Sequence, residues 1–243
     1  MTNAEENPTA DLVGARRVLT MGADALTDMA DQLGAEFVGV VDVLFHVKGR
    51  IIISGMGKSG HVGRKIAATF ASTGSPAQYV HPTEASHGDM GMITDDDCVI
   101  VLSNSGESPE LKDIIYHTRR FSIPLIAMSS RAKSSLAEHS TAVLLIPCAK
   151  EACPMGLAPT TSTTQMMALG DALAVALMER RGFNSDDYKV LHPGGSLGKS
   201  LLRIGEIMHG TERLPLAKPE MSVVEVAKIM TEIGLSCAGV VDD

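Results

Sequence analysis

The sequence contains no tryptophan, and aromatic residues make up only 3% of its 243 positions. Platforms on which bases or sugar rings stack are therefore scarce. Acidic residues outnumber basic residues by 29 to 21, which gives a formal net charge of −8. Because no general basic field meets phosphates, we expect no nucleic-acid partner. An anionic small molecule remains compatible with the sequence, provided that its charge is met locally.

Long apolar runs and closely paired cysteines are also missing. No stretch of 18 uncharged apolar residues is present, and the N-terminus reads MTNAEENPTADL, which is too acidic and polar for a secretion signal. The four cysteines, Cys98, Cys148, Cys153 and Cys237, form no Cys-x-x-Cys pair. We therefore expect reduced thiols in a cytoplasmic protein without membrane association.

Short apolar segments alternate with helical patterns along most of the chain. These segments are continuous rather than alternating, which is typical of strands buried on both faces of a parallel sheet. The sequence predicts an α/β fold, a three-layer sandwich with a five-stranded parallel sheet of the flavodoxin or Rossmann type. Residues 1–9 are expected to be a disordered lead. Predicted strands are 51–53, 77–80, 98–102, 124–128 and 143–146, and predicted helices are 15–33, 37–45, 59–72, 109–120 and 163–181.

The character of the chain changes after about residue 205. Ser222 is placed to cap an amphipathic helix that includes Val223, Val226 and Met230. The run 238–241 then has the composition of a strand. We expect this segment to be structurally separate from the parallel sheet.

A glycine-rich loop, Gly55-Met56-Gly57-Lys58-Ser59-Gly60, follows the first predicted strand and opens a helix. It is not a Walker A loop, because Ile52 stands where that motif needs glycine. It matches the dinucleotide pattern G-x-G-x-x-G, but His81 and Pro82 follow the second strand where that fold needs an acid. A third interpretation is a cradle for a sugar phosphate, in which backbone N–H groups meet the anion.

Three further hydroxyl-rich segments favour the cradle. Residues 103–108 (SNSGES), Ser129-Ser130 and residues 160–164 (TTSTT) each follow a predicted strand. Any one of them alone is adequately explained by helix capping. Parallel strands bring their carboxyl ends to one edge of the sheet, however, and ligands bind at that edge. Four such segments together indicate a site built from uncharged donors.

Five motifs resemble the sugar isomerase (SIS) family over roughly residues 35–210. They read ISGMGKSGHVGRKIAATFASTGSPA, HPTEASHGDMGMI, SNSGES, KEACPMGLAPTTSTTQMMALGDALA and HPGGSLGKSLL. The resemblance is to the branch that interconverts D-arabinose 5-phosphate and D-ribulose 5-phosphate through a cis-enediol and supplies 3-deoxy-D-manno-octulosonate for lipopolysaccharide.

The tail from about residue 207 resembles the opening of a CBS domain. Fewer than 40 residues remain there, about half of one repeat, so we expect the sequence to be part of a longer protein. We divide the chain into a lead and helix at 1–34, a SIS domain at 35–205 and a truncated CBS domain at 206–243.

The resemblance implies four catalytic residues, namely Lys58, Glu110, Glu151 and His192. Glu151 is expected to be the general base, and His192 to open the sugar ring or to shuttle protons. Lys58 is expected to polarise the carbonyl or to stabilise an enediolate, and Glu110 to be a second acid or base or to orient Lys58. Each has an ordinary alternative. Glu151 is compatible with a solvated loop carboxylate, and His192 with a loop histidine bound to backbone. Lys58 is compatible with a surface lysine, and Glu110 with a carboxylate favoured in the first turn of a helix.

The remaining site assignments follow the same resemblance. We expect no required cofactor, and His81 is a candidate zinc ligand at which bound zinc would be inhibitory or adventitious. Expected substrate-binding residues are Gly57, Ser59, Gly74, Ser75, His87, Ser103, Asn104, Ser105, Ser108, Thr161 and Ser162.

The resemblance also implies a homo-oligomer, with a tetramer favoured, because sites in this family are typically completed by neighbouring subunits. Three other functions stay open at the level of sequence. The chain is compatible with another phosphosugar isomerase on the same fold, with a sugar-phosphate sensor that has no turnover, and with a nicotinamide-binding protein.

Overall fold

The computed structural model describes residues 8–194 and 203–242. Contacts divide the chain into two compact units, 1–191 and 192–243. Most of the predicted lead, 1–7, lies outside the described residues, and at its end the first helix already begins at Pro8, within the predicted disordered segment. In the part of the chain that the structure describes, no helix is both long and apolar enough to cross a membrane.

The first unit is built on a five-stranded parallel sheet in the order β2-β1-β3-β4-β5. The strands are β1 (Ile51–Gly55), β2 (Ala77–Tyr79), β3 (Cys98–Leu102), β4 (Leu125–Ser129) and β5 (Ala142–Leu145). Each lies within two residues of its predicted bounds. β1, β3 and β4 are buried at every position, as continuous apolar runs predict for a sheet covered on both faces. The predicted flavodoxin-type sandwich is confirmed.

Helices cover both faces of the sheet. They are α1 (Pro8–Asp31), α2 (Ala35–Phe45), α3 (Gly57–Ser72), α4 (Pro82–Ser86), α5 (Lys112–Arg120), α6 (Ser135–Glu138), α7 (Thr161–Arg180) and α8 (Ser185–Leu191). Single turns of 3₁₀-helix occupy Asp89–Met92 and Pro109–Leu111.

Alternate residues of each strand face different helices. Ile51 and Ile53 pack with residues of α2, α3 and α7, whereas Ile52 packs with residues of α4, α5 and α6. α1 packs along α7, where the side-chain amide of Gln165 donates to the carbonyl oxygen of Ala25 at 3.3 Å. This packing is why α1 belongs to the first compact unit.

All five predicted helix starts differ from those in the structure: α1 begins at Pro8 rather than residue 15, and α2 at Ala35 rather than residue 37. α3 begins at Gly57 rather than residue 59, and α7 begins at Thr161 rather than residue 163. The predicted helix 109–120 starts with the 3₁₀ turn Pro109–Leu111, and α5 follows it. Glycine and threonine have weak helix propensity, so the sequence pattern places the starts of α3 and α7 too late, whereas α5 begins three residues after the predicted start at 109.

The second unit contains a small β-α-β arrangement. After helix α9 (Ile204–Ile207), strands β6 (Leu216–Ala217) and β7 (Gly239–Val240) pair in parallel, with helix α10 (Val223–Ile233) between them in sequence. Ser222 and Glu225 form a reciprocal capping box at the start of α10, and Gly234 ends it in the left-handed conformation. The predicted capping role of Ser222 is confirmed.

Candidate active site

The sheet reverses its direction of winding at β1. The chain leaves β1 through α3 to reach β2 on one side, and later returns to β3 on the other side. The loops after β1 and β3 therefore diverge and leave a crevice at the carboxyl edge, where open α/β sheets bind ligands. This places the first two predicted loops, 55–60 and 103–108, side by side.

The loop after β1 packs Gly55 and Gly60 tightly between strand and helix. A Cβ on Gly60 would stand 2.6 Å from the carbonyl oxygen of Gly55. The Tyr79 hydroxyl donates to that same oxygen at 2.6 Å. Gly57 adopts φ +57°, which starts α3 abruptly and leaves Lys58 exposed in its first turn. Close helix–strand packing thus explains Gly60, and positive φ explains Gly57, without a dinucleotide.

The loop after β3 is held by its own hydroxyls. The Oγ atoms of Ser103 and Ser108 lie 3.2 Å apart, and the Gly106 N–H donates to Ser103 Oγ at 3.1 Å. Ser103 is buried, whereas Asn104 and Ser105 are exposed at the crest of the loop. Of the predicted substrate-binding residues in this loop, Asn104 and Ser105 are exposed and Ser108 is half-buried.

The Ser129-Ser130 segment supports the loop after β3 from the neighbouring strand. Both hydroxyls donate to the carbonyl oxygen of Asn104, Ser129 at 3.3 Å and Ser130 at 2.8 Å. The backbone N–H of Ser130 donates to the same oxygen at 3.2 Å. These serines therefore position Asn104 through its backbone.

Glu151 lies at the N-terminus of α7, in the connection that follows β5. Its Oε2 accepts hydrogen bonds from Thr160 N at 2.6 Å and from Thr160 Oγ1 at 3.0 Å, and Ser162 N lies 3.5 Å away. Its Oε1 accepts from the Ser162 hydroxyl. Thr160 makes no side-chain cap of its own, so the predicted capping by residues 160–164 is corrected: the carboxylate of Glu151 takes that role.

The pKa of Glu151 is set by opposing effects. Partial burial alone raises the pKa, but hydrogen bonds from the Ser162 hydroxyl and from the Thr160 N–H and hydroxyl outweigh burial. The net result is a pKa below the ordinary value, and no neighbouring cation is needed to produce it. Glu151 is therefore a half-buried, ionised carboxylate rather than a solvated loop residue.

A cavity of about 500 Å³ joins Glu151 to the loop after β3. Its lining includes Asn104, Lys150, Glu151 and Cys153. The volume is within the range of small-ligand sites. The structure thus brings together the carboxylate predicted as the base and an amide predicted to bind substrate.

Three other predicted site residues, Ser59, Glu110 and Thr161, lie at the starts of helices. Ser59 is half-buried at the start of α3 and its hydroxyl lies 3.7 Å from Met166 Sδ of α7. Glu110 is exposed in the 3₁₀ turn before α5. Thr161 is buried at the start of α7, and its hydroxyl has no partner within the described residues.

Gly74 and Ser75 precede β2 and so lie at the amino edge of the sheet, opposite the cavity. Gly74 has φ +86° and packs against the ring of Phe183, and Ser75 is 1% exposed. Within one chain, the structure does not bring these two residues to the Glu151 cavity. Their substrate-binding role stays a prediction.

His81 and His87 flank α4, which follows β2. The Nδ1 atom of His81 is buried and has no hydrogen-bond partner among the described residues, whereas His87 is exposed at the end of α4. Residues 8–194 and 203–242 contain no cluster of three or more His, Cys, Asp or Glu side chains suited to a metal ion. Metal binding at His81 stays a prediction.

His192 is the first residue of the second compact unit, and its catalytic role stays a prediction. The rest of its motif, from Gly195 to Leu202, lies outside the described residues. Sequence reasoning missed Thr160 as an individual site residue, although it belongs to the hydroxyl-rich segment 160–164. Cys153, also missed, gave no signal beyond its position two residues after Glu151.

The fold and this cavity define a doubly wound α/β protein with a small-ligand site at the carboxyl edge of its sheet. Residues 44–176 match the SIS domain family. The arabinose 5-phosphate isomerase KdsD of Escherichia coli K12 is 44% identical over 245 aligned positions, which cover 100% of this chain and 75% of that protein. KdsD of Pseudomonas aeruginosa is 46% identical over 230 positions, 94% of this chain and 71% of the relative.

A solved structure extends the similarity to three dimensions. The E. coli CFT073 protein c3406, in complex with arabinose 5-phosphate, has a TM-score of 0.75 and 38% identity, and the match covers 77% of this chain and 100% of that one. The chain belongs to the SIS domain family.

Proposed function

We propose that this protein interconverts D-arabinose 5-phosphate and D-ribulose 5-phosphate. The observation that carries the proposal is the ionised Glu151 carboxylate beside Asn104 in the carboxyl-edge cavity, in a chain 44% identical to arabinose 5-phosphate isomerases. A carboxylate is a sufficient base for aldose–ketose isomerisation, which needs no redox cofactor.

In the proposed reaction, Glu151 removes the proton from C2 of the open-chain aldose. The C1 carbonyl oxygen gains a proton, and a cis-enediol forms. The O2 proton then leaves as the C2 carbonyl forms, and Glu151 returns its proton to C1, which gives the ketose. Lys58 supplies positive charge for the developing enediolate, and Glu110 orients Lys58 or acts as a second acid or base.

The same proposal assigns binding and ring opening. Accessible groups of the loops after β1 and β3 hold the phosphate, and the exposed amide and hydroxyl of Asn104 and Ser105 support this assignment. His192 opens the cyclic sugar or shuttles protons between O1 and O2. These roles follow the family resemblance, and each is open to separate mutation.

We also propose a homo-oligomer, with a tetramer favoured. The first half of α1 supports it by exposing apolar side chains: Leu12 is 58% exposed, Val13 59% and Leu19 73%. A second copy would cover this face, and neighbouring copies would bring Gly74, Ser75 or His192 to a shared site. The expected location is the cytoplasm, where the phosphorylated substrate and four free thiols fit.

Two finer assignments complete the proposal. The product supplies 3-deoxy-D-manno-octulosonate for lipopolysaccharide, and residues 206–243 begin a CBS domain, which the parallel β6-α10-β7 arrangement supports. The reaction requires no metal, and zinc bound at His81 would be inhibitory or adventitious.

The decisive experiment uses chelator-treated protein, ribulose 5-phosphate and deuterated water, followed by NMR. We expect arabinose 5-phosphate labelled at C2 from the parent, and a loss of kcat of roughly 10²–10⁴-fold from Glu151→Gln. Parallel assays with fructose and heptulose phosphates report other phosphosugar isomerases. Binding without turnover would identify a sensor instead, and a thermal shift with NAD(P) but not with pentose phosphates would identify a nicotinamide-binding protein.

A further inference from the structure

The N-terminus of α7 already binds an anion, namely the Glu151 carboxylate of the same chain. α7 is 20 residues long, and its first turn directs N–H groups toward Glu151 Oε2. A helix N-terminus favours one negative group at this position. With the Glu151 carboxylate seated there, the Thr160 N–H and the hydroxyls of Thr160 and Ser162 donate to that carboxylate rather than to a substrate phosphate. The hydroxyls of Thr160 and Ser162 therefore need a role that involves Glu151.

The direction of the Thr160 hydroxyl follows from its two neighbours. Ala152 N donates to Thr160 Oγ1 at 3.0 Å, so that oxygen is an acceptor toward Ala152. Its single hydrogen is then directed to Glu151 Oε2, 3.0 Å away. The chain Ala152–Thr160–Glu151 fixes both the hydroxyl and the carboxylate. Thr160 thus connects the segment that carries Glu151 to the start of α7.

The two carboxylate oxygens are not equivalent. Oε2 receives three N–H or O–H groups, two from Thr160 and one from Ser162. Oε1 receives one, the Ser162 hydroxyl, which must donate because an ionised carboxylate only accepts. Each carboxylate oxygen offers about two lone-pair positions. Within the described residues, Oε1 is therefore the oxygen with capacity left for a proton from carbon.

Among the described residues, few charged groups line the cavity around the Glu151 carboxylate. Within residues 8–194 and 203–242, the other titratable groups that line its cavity are Lys150 and Cys153, both on the segment that carries Glu151. The groups facing it from the other elements, Asn104 after β3 and Thr160 and Ser162 at α7, are uncharged. Loss of either hydroxyl would therefore remove a direct donor to the Glu151 carboxylate.

We propose that Thr160 and Ser162 are positioning residues that hold Glu151 at the start of α7 with Oε1 presented as the basic atom, rather than ligands of the substrate phosphate. This inference rests on the proposed function, because it assumes that Glu151 is the base. It assigns the phosphate to the loops after β1 and β3. It also gives Ser162 a role different from the one that the family resemblance suggested.

The test measures kcat, KM and the pH profile of kcat/KM for Thr160→Val and Ser162→Ala. Without a hydroxyl donor the carboxylate protonates at higher pH, so the acid limb of the profile should move to higher pH. We expect kcat on the plateau to fall on the order of 10–10²-fold through misplacement of the base, with KM for arabinose 5-phosphate changed less than about twofold. Thr160→Ser retains the hydroxyl and should therefore retain both the acid limb and the kcat of the parent.

Thr163→Ala is the matched control, because the Thr163 hydroxyl donates to the Thr160 carbonyl oxygen at 2.9 Å and, among the described residues, makes no hydrogen bond to Glu151. It should keep the parent acid limb. A rise in KM with an unmoved acid limb in Ser162→Ala would overturn the proposal, because that pattern belongs to a phosphate ligand.

A second measurement separates this inference from the proposed function. The carboxyl ¹³C signal of Glu151, assigned by its loss in Glu151→Gln, can be titrated in the full chain without substrate. We expect a higher pKa in Ser162→Ala than in the parent. If Glu151→Gln turns over normally, the base assignment fails. If Glu151→Gln is inactive but neither the acid limb nor the ¹³C titration moves in Ser162→Ala, only the positioning role fails.

Discussion

The hydroxyl oxygens of Ser103 and Ser108 lie 3.2 Å apart, so the two ends of the loop after β3 are joined to each other. Ser103 also accepts the N–H of Gly106, a buried residue with φ +68°. The loop is thus preorganised from within, while Asn104 and Ser105 are exposed on its crest. Its buried hydroxyl and its exposed groups are expected to have separable roles.

The first prediction follows from this division. Ser103→Ala removes the side-chain acceptor of the buried Gly106 N–H, which keeps the carbonyl oxygen of Ser103 as acceptor, so it should lower the free energy of unfolding by about 0.5–1.5 kcal/mol. Ser105→Ala removes an exposed hydroxyl, so it should raise KM for arabinose 5-phosphate with little effect on stability. Urea unfolding and steady-state kinetics measure both. Equal loss of stability in the two variants would contradict the separation.

The second prediction concerns stability against pH. Hydrogen bonds hold the pKa of Glu151 below its ordinary value of 4.5 despite partial burial. A lowered folded-state pKa contributes stability that is fully present above the unfolded value and is lost as pH falls through the folded value. Urea unfolding of the parent should therefore require less denaturant as the pH falls below 4.5. Glu151→Gln should lose part of this dependence, and a slope equal to that of the parent would refute the linkage.

The third prediction compares the four cysteines. Backbone N–H groups of Ala158, Met155 and Leu157 lower the pKa of the Cys153 thiol, whereas burial raises that of Cys98 to about 12. At neutral pH, iodoacetamide should label Cys153 fastest, and Cys98 should stay unmodified until the protein unfolds. Peptide mass spectrometry gives the rates, with the exposed Cys148 and Cys237 as internal references. Slower labelling of Cys153 than of Cys148 would contradict the expected thiolate stabilisation.

Arabinose 5-phosphate should also slow this labelling, because Cys153 lines the cavity that contains Glu151. Cys153→Ser serves as the control for the identity of the labelled site. Labelling that is indifferent to saturating substrate would argue that the substrate does not occupy this cavity.

The fourth prediction addresses the metal. The proposed enediol chemistry uses a carboxylate, so chelator-treated protein should keep its turnover. Added Zn²⁺ should reduce turnover through His81, whose Nδ1 has no partner in the described part of the chain. His81→Asn should weaken this inhibition, as an assay over a zinc titration would reveal. Loss of activity with chelator and its recovery with zinc would reverse the assignment.

Much of the fold could be predicted because strands that are buried on both faces require continuous apolar runs in the sequence. Ile51–Gly55 and Cys98–Leu102 are strands buried on both faces, and short continuous apolar runs between helical patterns are typical of such strands. Helix starts were harder to predict. Gly57 begins α3 with positive φ, and glycine in sequence indicates a loop more readily than a helix.

The site could be predicted only in part. Strand ends place the loops after β1 and β3 together by topology alone. The contacts of Glu151 could not be predicted in the same way, because residues 146–160 contain no helix or strand whose period would set the direction of a side chain. The contacts of Glu151 with Thr160 and Ser162 depend on where tertiary packing places the start of α7. Gly74 and Ser75 belong to a clear sequence motif, yet the structure places them at the amino edge of the sheet, opposite the Glu151 cavity.

The last prediction tests the oligomer through α1. Its C-terminal half packs on α7, with Ala25 4% and Met29 6% exposed, whereas Leu12 and Leu19 lie two turns apart on its exposed surface. Such an apolar face on a 24-residue helix is costly in water unless a partner covers it. Light scattering after gel filtration should give an oligomer for the parent and smaller species for Leu12→Asp with Leu19→Asp. Thr20→Asp, on the same helix, is the control for added charge and should leave the oligomer intact; a parent that is already monomeric, or an oligomer that survives Leu12→Asp with Leu19→Asp, would exclude an interface at Leu12 and Leu19.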